Sequence, residues 1–402
     1  MTRASSGNGS GPWPVFLIFL RLGLTSFGGP VAHLGYFRHE FVTRRAWLSE
    51  RNYADLVALC QFLPGPASSQ VGIGIGLSRA GYAGAFAAWA GFTLPSAIAL
   101  ILFAKSISIY GDSLAGGALN GLKVVAVAVV AQAVWGMARS LCPDVPRITI
   151  MAIVACVSLL ISSAWAQVGV LATAALVGLM LFKPQQDSAH DPLGIAISRR
   201  AGVISLSLFI LLLAGLPVLA DTMSNQIIAA VDAFFRVGAM VFGGGHVVLP
   251  LLQAEVVVPG WVGNETFLAG YGATQAVPGP LFTFASFLGA SMNSMPYGWM
   301  GGMICLLAIF APSFLLVAGV LPFWEQLRRN TRIRAALTGV NAAVVGLLLG
   351  ALYNPVWTSA IRDPSDFGLG LMAFVALMYW KLPPWLVVLA CAAAGWILSV
   401  AR

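Results

Sequence analysis

The sequence predicts an all-α, polytopic membrane protein made of two inverted-topology repeats, each with paired re-entrant half-helix hairpins, joined by a connecting transmembrane helix. Three observations lead there. First, 59% of the 402 residues are hydrophobic and 9% are charged, which leaves too few polar side chains to cover a water-soluble domain. Second, apolar stretches at 83–106, 117–139, 147–163, 166–182, 201–220, 297–321, 333–352, 367–380 and 383–400 mostly approach the ~20 residues a helix needs to cross a bilayer. Third, residues 19–66 recur in paraphrase at 234–280, and both copies carry glycine and proline breaks inside hydrophobic sequence.

The repeat can be followed residue by residue. Phe19, Arg21, Gly23, Phe27, Gly28 and Gly29 meet Phe234, Arg236, Gly238, Phe242, Gly243 and Gly244 at an offset of 215, and Glu40 meets Glu255. Pro30, which ends the first Phe-Gly-Gly-Pro run, meets Gly245. After a one-residue gap Trp47 meets Trp261, Gln61 meets Gln275, and Pro64, Gly65 and Pro66 meet Pro278, Gly279 and Pro280. Later, Pro95 and Ser96 meet Pro312 and Ser313. The first transmembrane repeat is therefore placed at 1–182, a cytoplasmic linker plus connecting helix at 183–224, and the second, inverted repeat at 225–402. The polar run from Lys183 to Arg200 is the linker. The crossing at 201–220 belongs to neither copy, so it brings the second copy into the membrane from the opposite side, a common plan in transporters.

Charge distribution refines the topology. Short cytoplasmic loops are rich in Lys and Arg. Arg38, Arg44, Arg45 and Arg51 follow the first motif, whereas the equivalent loop of the second copy holds Glu255 and Glu265 and no basic residue. Conversely, Arg328, Arg329, Arg332 and Arg334 fill a second-half loop whose first-half counterpart has Lys105 alone. If 13–32 and 53–80 each crossed once, these two basic loops would face opposite compartments. The conflict vanishes if 13–46 and 53–80 are hairpins of two half-helices that enter and leave on one side. That arrangement expects four full crossings per half plus the connecting helix, with the N-terminus cytoplasmic and the C-terminus external. It puts 16 of the 22 Lys and Arg inside, 3 outside, and Arg21, Lys123 and Arg236 in the membrane. Met1 to Gly11 is short and polar, so no secretory leader is read.

The breaks are the candidate substrate site. Irregular backbone in a bilayer must be buried in protein or line a wet cavity, because lipid offers no partner to bare NH and CO groups. Glycine lets the backbone approach a ligand closely, and proline in a first helical turn sits where an NH would be unsatisfied anyway. Helix N-termini with free NH groups bind anions. Gly28, Gly29, Pro30, Pro64, Gly65, Pro66, Gly243, Gly244, Pro278, Gly279 and Pro280 are accordingly expected to bind substrate. The competing reading is that they are kinks or packing points, as for the Gly72, Gly74, Gly76 run, which reads as helix packing.

Arg21 and Arg236 lie inside apolar sequence, where an arginine costs at least ~2.5 kcal/mol on insertion scales. Two readings stand side by side: contact with an oxyanion, which suits the planar guanidinium fork, or pairing with Glu40 and Glu255. Lys123, whose repeat mate is Asn341, reads as an unpaired intramembrane charge on the anion path. Glu40 and Glu255 are the proton-coupling candidates, with salt bridging to arginine as the alternative. Gln61 and Gln275 are placed to donate to ligand or to cap broken backbone. His33 and His246 lie near the breaks but two residues out of register, which weakens a paired role.

Other classes find no support. Cys60, Cys142, Cys156, Cys305 and Cys391 are scattered in apolar sequence without a CxxC, so neither a metal nor any cofactor is expected. An intramembrane enzyme would need a cluster such as HExxH, a nucleotide-driven pump a GxxxxGK[ST] loop, and a nucleic-acid binder a soluble basic face; none is present. The lipid bilayer is an expected partner, nucleic acid is not, and the oligomeric state is left open.

At these motifs the chain resembles the chromate ion transporter (CHR) family, in its long-chain two-domain form. The resemblance rests on Arg21 to Pro30, Glu40, Trp47, the Gln61 to Pro66 segment, and the second-half Phe-Gly-Gly-Gly and Pro-Gly-Pro runs. It implies a secondary transporter in a bacterial-type inner membrane, exporting chromate from the cytoplasm, with sulfate as a competing analogue. A sulfate or other oxyanion permease remains the alternative, because tetrahedral dianions of similar size use the same donors.

Overall fold

The computed structural model describes residues 11–110, 116–161, 164–183, 197–242, 245–293, 297–327 and 330–401, all of them in helices and their connections with no strand. In order they form α1 (Pro12–Thr25), α2 (Gly29–Arg38, continued as a wider π-turn His39–Arg44), α3 (Glu50–Phe62), α4 (Ala67–Tyr110), α5 (Gly116–Leu141), α6 (Val145–Leu160), α7 (Ala164–Leu181) and α8 (Arg199–Met223). Then come α9 (Gln226–Met240), α10 (Val248–Val256, after the turn Gly245–Val247), α11 (Asn264–Thr274), α12 (Phe284–Ala290, after the turn Leu281–Thr283) and α13 (Gly298–Val320). The last are α14 (Trp324–Leu327), α15 (Thr331–Ala351), α16 (Thr358–Ala360), α17 (Pro364–Met378) and α18 (Pro384–Ala401). Several helices start where the chain supplies an oxygen for a bare amide: Ser49, Asp144, Ser198, Asn225, Asn330 and Asp363 cap α3, α6, α8, α9, α15 and α17. Among the described residues five helical segments are long and apolar enough to cross a membrane, which makes the protein an α-helical, polytopic membrane protein.

Side-chain contacts span each break. Phe19 of α1 stacks on Phe41 beyond α2 at 5.0 Å, across the break at 26–28. Gly74 of α4 faces Leu56 of α3 across the Pro-Gly-Pro break. In the second half Arg236 of α9 reaches Glu255 of α10 at 2.8 Å, and Phe267 of α11 meets Phe284 of α12 at 5.1 Å. Helix α4 is itself two arms, because the backbone leaves helical geometry at Ala80 and Gly81. The arms lie side by side there, with Gly84 against the Gly76 carbonyl; in the second half Gly289 of α12 lies the same way against the Gly301 carbonyl of α13. The Gly72, Gly74, Gly76 run is thus packing surface, its three faces set against Phe19, Leu56 and Gly84.

The order from α1 to α7 recurs as α9 to α13, α15, α17 and α18, with α8 between. The halves are interleaved. Helix α5 packs on α17 and α18, and its counterpart α15 packs on α6 and α7. Glycines permit the closest approaches: Gly121 of α5 meets the Cys391 carbonyl of α18, and Gly339 of α15 meets the Ala174 carbonyl of α7. Helix α8 packs on α9 and α13 and leaves Ile204, Ile210, Leu211 and Val218 exposed, an apolar face that suits lipid. The linker expected at 183–200 falls mostly outside the described residues.

Candidate functional site

The four breaks meet through two reciprocal hydrogen bonds. The Gly65 amide donates to the Val241 carbonyl at 2.7 Å, and the Gly279 amide donates to the Ser26 carbonyl at 3.1 Å. Ser26 and Val241 are repeat mates, as are Gly65 and Gly279, so each Pro-Gly-Pro break is tied to the Phe-Gly-Gly break of the other half. Gly65 and Gly279 have φ of +120° and +113°, a left-handed conformation that only glycine adopts cheaply. A Cβ at Gly65 would sit 2.9 Å from Ser313 Oγ, and one at Gly279 would sit 2.7 Å from Ser96 Oγ. The sequence pairing of Ser96 with Ser313 therefore has a shared physical role, which is to floor the break of the opposite half.

A cavity of about 70 Å³ opens beside this crossing, lined by Gly28, Gly29, Pro30, Val129, Gln132, His246, Thr274, Gln275, Val277, Gly279, Leu281 and Pro384. Three chain starts converge on it. The first turn of α2 opens with Gly29 and Pro30, and Pro30 lies 3.4 Å, and Leu281 3.6 Å, from where a Cβ on Gly245 would stand. First helical turns present unshared amides and the positive end of the helix dipole. Gln275 adds a buried amide nitrogen with no partner among the described residues. His246, on the same wall, has Nδ1 2.8 Å from the Tyr271 hydroxyl. The lining is thus without carboxylates; Gln132 and Thr274 already donate to the Leu377 and Gly270 carbonyls, which leaves the Gln275 amide and first-turn backbone as its donors.

Of the residues expected from sequence, Gly28, Gly29, Pro30, Gln275 and Gly279 line this cavity. Pro64, Gly65, Pro66, Pro278 and Pro280 do not; they shape the breaks, and the Pro64 carbonyl accepts from Gln70 Nε2 at 2.6 Å. Gln61 is exposed and apart from it. Gly243 and Gly244 lie outside the described residues. Lys123 corrects the sequence reading: it is buried, but Glu265 of α11 stands 3.3 Å from its Nζ, so it is a paired charge. Sequence could not show this, because the partners are 142 residues apart.

The arginines divide. Arg236 is held by Glu255 and, at 3.1 Å, by Asp232 one turn earlier on α9, all three side chains nearly buried. Arg21 is exposed and makes no ion pair among the described residues; Glu40 is taken instead by Arg44 at 3.0 Å and Arg45 at 2.6 Å. Asp232, Gln132, Thr274 and His246 went unnoticed or were discounted in the sequence. The (i, i+4) spacing of Asp232 and Arg236 was the one signal available. His33 also acts locally, since its ring nitrogens lie 3.2 Å from the Ser26 carbonyl and 3.4 Å from Ser68 Oγ, joining the two breaks of the first half.

Broken helices around a small cavity, inside a bundle of membrane-crossing helices, are the architecture of a membrane transport protein. Residues 13–179 and 228–396 both match the family described as Chromate transporter, so the chain belongs to that family. It is 27% identical over 384 residues to a probable chromate transport protein of Synechococcus elongatus, covering 94% of this chain and 93% of that one. It is 28% identical over 407 residues to a chromate transport protein of Pseudomonas aeruginosa, covering 95% and 91%. A shorter match, 31% identical over 115 residues, joins 28% of this chain to 65% of an uncharacterized transporter of Bacillus subtilis. No solved structure matches the chain.

Proposed function

We propose that the protein exports chromate across the cell membrane, and that the dianion binds in the cavity where the breaks cross. The observation that carries this reading is the pair of reciprocal hydrogen bonds, which gathers half-helix N-termini and the unpartnered Gln275 amide around one space. Tetrahedral oxyanions need several donors at short range and no nearby carboxylate. Sulfate, with the same shape and charge, is the expected competitor.

The membrane potential is the driving force. A dianion leaving a negative-inside cell gains roughly 2.3 kcal/mol per charge per 100 mV, about 4.6 kcal/mol for two charges. Glu40 and Glu255 are the carboxylates suited by position to carry protons, but each is engaged by arginine, and a proton carrier would have to break that pair in every cycle. The reading therefore assigns them structural pairs. In the topology that goes with export, the repeats are inverted about α8, in an inner membrane, with the N-terminus inside and the C-terminus outside. A relative in which 115 matched residues make up 65% of the chain supports one repeat as a unit of its own.

Uptake of labelled chromate into inverted vesicles tests the proposal. Uptake should saturate, grow with an inside-positive potential and fall when sulfate is added. Gln275→Leu should raise the half-saturating concentration roughly tenfold, the worth of one hydrogen bond to a charged ligand. Absence of potential-driven chromate uptake by the wild-type protein would overturn export, and unchanged affinity in Gln275→Leu would move the anion out of this cavity.

A further inference from the structure

We infer a second anion station, outward of the cavity, made by Lys123 and Arg362 and closed at rest by Glu265. This rests on the reading that an oxyanion occupies the central cavity. Lys123 of α5 and Arg362, just ahead of α17, both point at one oxygen of Glu265, Oε1. Lys123 is 6% exposed, whereas Arg362 and Glu265 are 58% and 68% exposed, so the cluster joins a buried cation to the surface. Two cations converging on one carboxylate oxygen form the donor set that an oxyanion oxygen would use. Glu265 is then a tethered stand-in for the departing anion.

The position of the cluster gives it a role. Helices α5 and α11 both line the cavity, through Gln132 and Thr274, and both run from there to the cluster, at Lys123 and Glu265. On each helix the interval is nine residues, about 13 Å at 1.5 Å per residue. The two helices touch closely at the Lys123 level of α5, where the Leu122 carbonyl lies against Gly272 of α11. The cluster lies at the Gly116 end of α5, away from Arg139 and the basic loops, which is the external side in the topology proposed above. An anion that leaves the cavity outward therefore meets Lys123 first and must take it from Glu265. Displacing Glu265 removes one of two ties at the start of α11, the other being Asn264 Nδ2, which donates to Ser359 Oγ at 2.7 Å; the other end of this half-helix, at Thr274 and Gln275, forms the cavity wall. Exchange of a substrate oxygen for the Glu265 oxygen thus links release at the surface to the break inside, and keeps an anionic oxygen facing Lys123 throughout.

Sidedness separates this station from the central site. Chromate transport by reconstituted, oriented protein is measured while sulfate is added on the external or the cytoplasmic face alone. Glu265→Gln removes the competing carboxylate, so external sulfate should inhibit at concentrations about tenfold lower, while inhibition from the cytoplasmic face stays as in wild type. Lys123→Gln should do the reverse and weaken external inhibition. Thermal unfolding of each purified variant establishes that it is folded, and the double variant Lys123→Gln with Glu265→Gln, which removes the pair together, should retain the weak external inhibition of the lysine variant. The station is overturned if folded Glu265→Gln transports with unchanged external inhibition, or if both faces change equally. Loss of all chromate transport in the wild-type protein would instead strike the proposed function.

Discussion

Arg21 and Arg236 hold matching positions in the two halves and live in different surroundings. Arg236 is fixed between Asp232 on its own helix and Glu255 on the returning one. In the first half Leu17 stands at the position of Asp232, and Glu40 is taken by Arg44 and Arg45, whose counterparts are Pro259 and Gly260. Arg21 is left exposed, on the face of α1 that also carries Trp13, Leu17 and Leu24. A carboxylate near the membrane takes whichever guanidinium reaches it without added desolvation, and in the first half that is a neighbour four or five residues along. Repetition of residue types therefore repeats the backbone plan and not the ion pairs. One arginine is structural and the other is uncommitted to any carboxylate among the described residues.

The breaks, where the halves do agree, set the largest expected effect. Gly279→Val would force a branched side chain into a left-handed φ and against Ser96, at a combined cost of about 3 kcal/mol or more. Folded protein recovered in detergent should fall sharply, and vesicle uptake with it; Gly65→Val should do the same through Ser313, and a tolerated substitution at either would separate the two breaks. Next in size is Arg236→Gln, which leaves Asp232 and Glu255 buried together without their cation and should cost roughly 3–5 kcal/mol. Thermal unfolding of that variant beside Arg21→Gln tests the contrast directly: Arg21→Gln should leave the unfolding temperature where it was. Equal losses of stability would erase the difference between the halves. The smallest effect belongs to Glu40→Gln, under about 1 kcal/mol, because Arg44 and Arg45 keep access to water when released. A loss there as large as for Arg236→Gln would show that Glu40 holds the first half together as Glu255 holds the second.

Much of the fold was legible because its signals are local. Glycine and proline inside apolar sequence marked the breaks at 26–30, 63–66, 241–245 and 275–280, and eight of the nine apolar stretches fall within a few residues of α5, α6, α7, α8, α13, α15, α17 and α18. Opposed basic loops led to the expectation that the chain reverses at the breaks, and Phe19–Phe41 and Phe267–Phe284 are in contact across two of them. The site was legible in part. Gly28, Gly29, Pro30, Gln275 and Gly279 were found from their motifs, whereas Gln132 and Thr274 sit in ordinary helical sequence and carry no mark. His246 was discounted for lack of register with His33, yet register does not govern it, since its hydrogen bond goes to Tyr271 in its own half.

By itself the sequence determined the helical membrane class, the duplication, and where the backbone must leave helical geometry, because each follows from composition or from φ, ψ preferences a few residues long. Tertiary structure alone decided that α5 and α15 lie against the opposite halves, that Gly65 and Gly279 bond across the repeat, and that Lys123 is a partner of Glu265. Those outcomes depend on which surfaces meet in three dimensions. In a low-dielectric interior, where an unpaired charge or amide is costly, the nearest available partner wins, however distant it is along the chain.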